Sequence, residues 1–299
     1  MIILKTKILE RIIIEMISRV KKIIFVIVSL LMIFIILFIG YKRKSKDNDF
    51  AFSSDVQIKY NEDNIEYKSS TMNIKLQNIV KKEPNINMWL ANIKIKNPEQ
   101  IKSAFAGDKF TLENKEKTSE IAKRNNAIIA INGSAYGFNE KGFVIRDKVL
   151  YRDTNLDASP LVIKDNGDFE IYNYGEKTGQ EMLDLGAMHV YDFGPDLIRY
   201  GDIVDYGDSW YKNDKQPRTV IGQKGELEYV IIVVDGRSKE SEGISLYDVA
   251  LELKNRGCYV GYNLDGGGST TLYFNGEVLN NPSDLLGERK ISDILYFID

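Results

Sequence analysis

The chain has 299 residues, of which 43% are hydrophobic and 28% charged, and its formal net charge is −3. This apolar fraction is too high for a disordered chain, and one cysteine and one histidine exclude a disulfide framework, a cysteine-built zinc site and any metal centre with two histidines. Residues 1–46 contain ten basic and two acidic residues, which leaves the remainder with a net charge of −11. Because nucleic-acid binding depends on phosphate neutralisation, we predict no nucleic-acid partner for this acidic body.

The N-terminal region predicts a membrane anchor. Residues 23–39 read IIFVIVSLLMIFIILFI without a charge, and Gly40 and Tyr41 extend this run towards the length of a bilayer-spanning helix. No small-x-small cleavage pattern follows, so an uncleaved signal anchor is favoured over a cleaved signal peptide. We therefore predict a protein of the cell membrane with four regions: a basic cytoplasmic segment (1–22), a transmembrane helix (23–41), a linker (42–55) and an extracytoplasmic domain (56–299).

The body after the linker predicts a strand-rich domain. Runs rich in Ile, Val, Tyr and Phe, separated by turn signals, are the predicted strands. They cover residues 74–80, 88–95, 127–131, 161–163, 169–172, 228–234, 259–263 and 271–274.

Two helices are predicted among these strands. One is capped by Thr118 or Ser119 and runs through Asn126, and the other is capped by Ser245 and ended by Gly257. Each helix leads directly into a strand that ends in a polar, glycine-bearing loop. The predicted fold class is α+β, with mixed, strand-rich sheets and a few packed helices, preceded by one transmembrane helix.

The loop after the second helix–strand pair carries the strongest candidate motif, YNLDGGGSTTL. Successive glycines let the backbone turn sharply and present N–H groups to an anion, and Asp265 places a carboxylate at the strand end. A tight hairpin with an Asx turn is the structural alternative. No Lys follows the glycines, which excludes a P-loop.

Three further segments carry polar candidates. In QPRTVIG, Arg218 offers a planar fork suited to bidentate phosphate or carboxylate binding. The segment VVDGR ends a strand with Asp235 and Arg237, for which a surface Asp–Arg turn pair is the structural alternative. The segment INGSAYGF supplies Asn132 and Gly133.

Taken in order, the segments INGSAYGF, DFGPDLIRYG, QPRTVIG, VVDGR, YNLDGGGSTTLYFNG and GERKISDILYF resemble the phosphodiester glycosidase family. Its best-known activity is N-acetylglucosamine-1-phosphodiester α-N-acetylglucosaminidase, and bacterial members are associated with exopolysaccharide biosynthesis. The chain departs from the family pattern at 134–136, where the usual glycine and aromatic pair is absent, and at Lys290, where proline is common. The resemblance implies hydrolysis of a sugar-1-phosphodiester at the glycosidic bond, within surface polysaccharide or cell-envelope wall polymers.

The resemblance also implies roles for the motif residues. The reaction passes through an oxocarbenium-like state with an acidic phosphate leaving, so it needs cations or N–H groups for the phosphate and a carboxylate near C1. We predict Asp265, Asp235 and Glu288 as the acids, with Asp265 at C1 and the other roles left open. Predicted substrate-binding residues are Arg218 as phosphate clamp, and Asn132, Gly133, Thr219, Arg237, Asn263, Gly266, Gly267, Gly268, Ser269 and Thr270. No cofactor or metal is predicted; a divalent cation held by Asp265 and Asp235 is an alternative without support from the sequence.

The single histidine and the single cysteine are predicted to be structural, and two other function classes stay open. His189 lies among apolar residues, so packing is favoured over proton transfer, and Cys258 is predicted to be buried. A non-catalytic polysaccharide-binding or assembly protein is the first alternative, and the presence of the complete candidate set disfavours it. A phosphodiesterase or transferase that cleaves P–O is the second alternative, and ¹⁸O labelling would distinguish it.

Overall fold

The structure is a computed structural model that describes residues 51–154 and 157–299. The predicted segments 1–22 and 23–41 and most of the linker lie outside the described residues. Among the residues that are described, no helix combines the length and the apolar character needed to cross a membrane.

Strands dominate the described part of the chain, as the sequence predicted. Within residues 51–154 and 157–299 there are 21 strands: β1 Gln57–Tyr60, β2 Asn64–Lys68, β3 Met72–Lys81, β4 Ile86–Ile95, β5 Ile101–Phe105, β6 Glu116–Lys117, β7 Ile129–Asn132, β8 Val144–Arg146, β9 Val149–Arg152, β10 Leu161–Lys164, β11 Phe169–Ile171, β12 Ala187–Tyr191, β13 Asp196–Arg199, β14 Asp202–Ile203, β15 Arg218–Gly225, β16 Glu228–Val234, β17 Val260–Asn263, β18 Leu272–Phe274, β19 Glu277–Val278, β20 Lys290–Ile291 and β21 Asp293–Phe297. The helices are α1 Thr118–Arg124, α2 Gly179–Asp184, α3 Ser209–Asn213 and α4 Leu246–Asn255.

The strands form three larger sheets and one small one, and the pairs between the described strands are antiparallel. The largest sheet has the order β1-β2-β3-β4-β16-β15-β17-β13-β14. Two five-stranded sheets have the orders β11-β10-β12-β8-β9 and β19-β18-β7-β21-β5, and β20 pairs with β6. This architecture confirms a strand-rich α+β fold, and all eight predicted strands are present with ends shifted by at most two residues.

The central strands of the nine-stranded sheet are buried on both faces. Along β16, Ile231 and Val233 pack into the core shared with the five-stranded sheets, whereas Ile232 and Val234 pack beneath α4. Side chains alternate between the two faces of a strand, so only a continuous apolar run such as YVIIVV satisfies both cores. This two-sided burial holds the ends of β15, β16 and β17 in fixed positions.

The two predicted helices are present, and one predicted cap is wrong. Ser245 caps α4 by accepting a hydrogen bond from the Asp248 N–H at 3.0 Å, and Gly257 follows the helix with φ of +79°. In α1, by contrast, Thr118 is already helical and fully buried. The Ser119 N–H donates instead to the carboxylate of Glu288 at 2.9 Å, so the first turn of α1 is capped by a residue that is distant in sequence.

Antiparallel pairing brings the candidate motifs to one region. The start of β15 lies beside the ends of β16 and β17, and the start of β21 lies beside the end of β7. The loops that carry Asp235, Asp265 and Asn132 therefore leave their strands close to one another.

Candidate active site

The turn that contains the three glycines is fixed from its first residue. The Asp265 N–H donates to the Gly133 carbonyl at 3.3 Å, and the Asp265 carbonyl accepts from Asn132 Nδ2 at 2.6 Å. Asn132 Oδ1 also accepts from Thr219 Oγ1 at 2.8 Å and from the Thr271 N–H at 3.2 Å. Asn132 and Thr219 are buried beneath the turn, where they hold its backbone in place.

A second asparagine holds the other end of the turn. Asn280 Nδ2 donates to the Thr270 carbonyl at 3.1 Å, and Asn280 Oδ1 accepts from the Leu272 N–H at 2.7 Å. Asn280 Nδ2 also donates to the buried Asp235 carboxylate at 3.1 Å. Sequence reasoning missed Asn280, because nothing in its own segment signals a contact with the glycine turn.

Asp235 is an internal acceptor that orients these amides. Besides Asn280, it accepts from the Asn281 N–H at 2.9 Å and from Asn87 Nδ2 at 2.9 Å. Burial raises the pKa of the Asp235 carboxyl, and the three hydrogen bonds oppose that rise. The structure therefore gives Asp235 a positioning role through Asn280; the predicted catalytic role stays a prediction.

The glycines make room for two guanidinium groups. Gly267 has φ of +59°, and a Cβ on it would lie 3.0 Å from Arg237 Nη2. A Cβ on Gly268 would overlap the guanidinium of Arg289. Arg237 Nε donates to Gln216 Oε1 at 2.9 Å, and this contact keeps its side chain near the turn. Glycine is thus required where two cations lie against the backbone.

Most turn amides already have partners within the protein. The Gly267 N–H donates to the Pro217 carbonyl at 3.0 Å, and the Ser269 and Thr270 N–H groups donate to the Gly266 and Gly267 carbonyls at 3.2 Å. The Gly266 N–H interacts with the Asp265 carboxylate. Arg289 Nε donates to Asp284 Oδ2 at 2.9 Å, which leaves its two Nη groups for a ligand. Arg237 and Arg289 are therefore the donors at this turn that suit an anion best.

Asp265 is the carboxylate that this turn presents to solvent. It is partly exposed, whereas Asp235 is buried. Burial raises the pKa of the Asp265 carboxyl, and the nearby Ser269 hydroxyl, the charge of Arg289 and the Gly266 N–H oppose that rise. A carboxylate with a raised pKa, reachable by solvent and within electrostatic reach of the Arg289 cation, has the character expected of a catalytic group.

A second carboxylate, that of Asp293, is deeply buried within electrostatic reach of Asp265. Asp293 has no exposed surface, and its carboxylate forms an ion pair with Arg146, whose Nε lies 3.2 Å from Asp293 Oδ2. Burial raises the pKa of Asp293, Arg146 opposes the rise and the charge of Asp265 adds to it, which places the two acids within electrostatic reach. A Cβ on Gly133 would overlap the Asp293 carboxylate, so the predicted Asn-Gly pair is needed for packing against this acid.

Three other predicted site residues direct their side chains to groups outside the glycine turn. Arg218 Nη2 donates to the Asp214 carbonyl at 2.8 Å and its Nε to the Ile244 carbonyl at 3.3 Å, on the face of β15 opposite to Thr219. Burial lowers the pKa of Arg218, Asp214 opposes this, and the charge of Arg237 lowers it further. Asn263 Nδ2 donates to the Gly194 carbonyl at 2.8 Å.

Glu288, in contrast, is engaged with α1 through both of its carboxylate oxygens, which accept from the Ser119 N–H and Ser119 Oγ. Its neighbour Arg289 reaches the glycine turn instead. Arg289 and Asp293 both lie in the segment GERKISD, so the signal was present in the motif, from which the sequence reading selected Glu288.

The two single residues behave as the sequence predicted. His189 is fully buried: its Nδ1 accepts from the Asp147 N–H at 3.2 Å, which leaves Nε2–H to donate to the Ile101 carbonyl at 3.4 Å. Burial lowers the pKa of His189 to about 3. Cys258 is buried, and burial raises the pKa of its thiol to about 12. No group of three or more His, Cys, Asp or Glu side chains that could hold a metal ion occurs within the described ranges.

A family model and two curated relatives are similar to this chain. The family model of the phosphodiester glycosidases matches residues 125–298. The SPbeta prophage-derived uncharacterized protein YomE of Bacillus subtilis is 34% identical over 197 residues, which is 62% of this chain and 30% of that protein. The N-acetylglucosamine-1-phosphodiester alpha-N-acetylglucosaminidase of Mus musculus is 34% identical over 76 residues, 25% of this chain and 14% of that enzyme. The chain thus spans less than a third of the length of these curated relatives.

Solved structures share the fold. The catalytic domain of the zebrafish N-acetylglucosamine-1-phosphodiester alpha-N-acetylglucosaminidase superposes with a TM-score of 0.62 at 21% identity, covering 76% of this chain and 83% of that domain. A hypothetical protein from Synechocystis superposes with a TM-score of 0.58 at 13% identity, covering 81% of this chain and 67% of that protein.

Proposed function

The chain belongs to the phosphodiester glycosidase family, and we propose that it hydrolyses the glycosidic bond of sugar-1-phosphodiesters. The proposed substrate is a surface polysaccharide or wall polymer outside the cytoplasm, and the predicted span at 23–41 would hold the enzyme at the cell membrane. The observation that carries the proposal is the partly exposed Asp265, on a turn against which the guanidinium groups of Arg237 and Arg289 lie.

The two guanidinium groups suit the phosphodiester. A planar guanidinium donates two parallel hydrogen bonds to phosphate oxygens, and two such groups can bind the diester and stabilise the charge of the departing phosphate. A phosphate leaving group is already acidic, so this reaction depends on a strong proton donor less than ordinary glycoside hydrolysis does. Arg237 and Arg289 therefore take the phosphate role first predicted for Arg218, whose guanidinium donates to the Asp214 and Ile244 carbonyls.

Asp265 is placed to act on the sugar carbon. As C1 gains positive charge, the carboxylate stabilises it, either as a nucleophile or as a base that deprotonates water. The C1–O bond breaks, its electron pair stays on the phosphate oxygen, and the water oxygen ends on C1. The products are a free sugar and a phosphomonoester. The ion pair of Asp293 with Arg146 supports Gly133 beneath this carboxylate.

Product analysis tests the proposal directly. The protein is incubated with N-acetylglucosamine-1-phosphate methyl diester and related sugar-1-phosphodiesters in H₂¹⁸O, and the label is expected in the sugar. Asp265→Asn should lower kcat by a factor of about 10³ with little change in stability, as expected for a group that acts in the reaction. Asp165→Asn is the matched control, because Asp165 pairs with Lys148 on the surface at 3.0 Å.

Two outcomes would overturn the assignment. Label in the phosphate would mean P–O cleavage and would replace the glycosidase by a phosphodiesterase. Full activity of Asp265→Asn would remove this carboxylate from the reaction.

A further inference from the structure

A concave surface lies far from the glycine turn. It is a groove of about 620 Å³ between the edge strand β11 and the turn that joins β13 to β14. Tyr259 and Val260, at the start of β17, form part of it, whereas Asp265 follows the end of that strand. At about 3.3 Å per residue, the groove and the candidate active site are separated by about 20 Å along this strand.

Three tyrosines line this groove. They are Tyr172, Tyr200 and Tyr259, and Tyr200 is 92% exposed. The hydroxyl of Tyr172 donates to Glu170 Oε2 at 2.6 Å, which holds its ring in one orientation. Rings presented in this way offer flat apolar surfaces with polar edges, a combination that is typical of ligand sites rather than of a protein core.

Tyr200 is not explained by the turn in which it lies. Arg199 pairs with Asp202, so Tyr200 and Gly201 form a two-residue hairpin loop, with φ of +52° and +83°. Such loops favour Asn-Gly, because Asn tolerates a positive φ and a bulky side chain does not. A tyrosine that is unfavourable for the backbone, buries almost nothing and faces a groove is better explained by a ligand than by folding.

The charges of the groove indicate which ligands fit. Asp168, Glu170 and Glu176 contribute carboxylates, and Arg199 is the cation that lines it. Glu170 also pairs with Lys164 at 3.1 Å, so Asp168 and Glu176 carry the negative charge that no Lys or Arg side chain pairs with here. Arg199 is already engaged with Asp196 and with Asn173 Oδ1. The groove is therefore acidic and would repel phosphate-bearing or carboxylate-bearing polymers, while its carboxylates can accept hydrogen bonds from hydroxyl groups.

We propose that this groove binds an uncharged stretch of glycan. The apolar faces of the sugar rings would lie on Tyr172, Tyr200 and Tyr259, and their hydroxyls would donate to Glu170 and the neighbouring carboxylates. The groove then holds a carbohydrate chain at a place separate from the glycine turn. The inference does not depend on hydrolysis, because it concerns binding of sugars that carry no phosphodiester.

Binding of defined oligosaccharides tests this inference. The full chain is kept in a detergent without a sugar headgroup and titrated calorimetrically with cellohexaose, chitohexaose and a hyaluronan hexasaccharide. We expect both uncharged hexasaccharides to bind with dissociation constants below about 1 mM, and hyaluronan, which carries carboxylates, to bind at least about tenfold more weakly.

One substitution separates binding from folding. Tyr200→Asn restores the preferred Asn-Gly turn, so its midpoint of thermal unfolding should not fall, yet its affinity for the uncharged hexasaccharides should drop about tenfold. Tyr60→Asn is the matched control, because Tyr60 is 61% exposed on β1, at the opposite edge of the nine-stranded sheet. Asp265→Asn should bind as the wild type does.

Three results would contradict the proposal that the groove binds an uncharged glycan. It is overturned if neither uncharged hexasaccharide binds, if hyaluronan binds as tightly as they do, or if Tyr200→Asn retains wild-type affinity. Loss of hydrolysis with retained hexasaccharide binding would count against the proposed function and not against the groove.

Discussion

Acidification from pH 7 to pH 5 should destabilise the protein through His189. Its imidazole has no exposed surface and joins β12 to the start of β5 through the Ile101 carbonyl. Arg146 and Lys102 add positive charge that opposes protonation, and the Asp147 carboxylate lies 4.0 Å from Nε2 on the exposed side. The folded protein therefore keeps this ring neutral at a pH where an exposed histidine would gain a proton.

The size of the effect follows from the pKa. The pKa of His189 falls from 6.5 in the unfolded chain to about 3 in the folded protein. The stability that this site contributes is complete above pH 6.5 and is lost as the pH falls from 6.5 towards 3, because the unfolded chain binds the proton first. At pH 5, which is about 1.5 units below the unfolded value, the loss is about 2 kcal/mol.

Urea unfolding measures this loss. The free energy of unfolding is determined by tryptophan fluorescence at pH 7 and at pH 5 for the wild type and for His189→Gln, whose amide can donate and accept but cannot titrate. The wild type should lose about 2 kcal/mol more than the variant, since the carboxyl groups titrate in both proteins and cancel. Equal losses in the two proteins would refute the assignment of a neutral buried imidazole.

Three further predictions concern the glycine turn and its support. Arg289→Lys keeps the charge but removes the planar fork, so kcat/KM for a sugar-1-phosphodiester should fall about tenfold in steady-state assays, with little change for a nitrophenyl glycoside. Gly268→Ala should reduce turnover of the diester by at least as much, because the added methyl displaces the Arg289 guanidinium; unchanged turnover would show that the guanidinium is not needed there. Asp293→Asn should cost about 3–5 kcal/mol of unfolding free energy by leaving Arg146 unpaired, and combining it with Arg146→Met should recover part of that loss.

Local patterns predicted eight of the 21 strands in the described residues, and the other thirteen were not predicted. The run EYVIIVV gave β16 with the bounds that the structure has, because burial on both faces requires a continuous apolar segment. The two-residue strand β20 was not predicted, since so short a run carries no periodic signal. The predicted cap of α1 by Thr118 or Ser119 was wrong. The Ser119 N–H donates instead to the carboxylate of Glu288, which lies 169 positions away along the chain.

The sequence predicted those parts of the candidate site whose residues all lie in one short segment. The Asp265 carboxylate and the glycines form such a segment. The direction of the Arg218 side chain depends on which residues of β15 point to each face of the sheet. Thr219 points to Asn132, so its neighbour Arg218 points to the opposite face. The ion pair of Arg146 with Asp293 joins residues 147 positions apart, and no pattern within either segment reveals such a contact.

The assembly of the glycine turn from segments that are far apart in sequence has a kinetic consequence. Asn132, Asp235, Asp265 and Asn280 meet only after antiparallel pairings between distant strands have formed, and folding through such non-local contacts is slow. No short fragment of the chain contains the complete constellation. After dilution from urea, catalytic activity should therefore reappear with the slowest phase of refolding, later than the first gain of secondary structure.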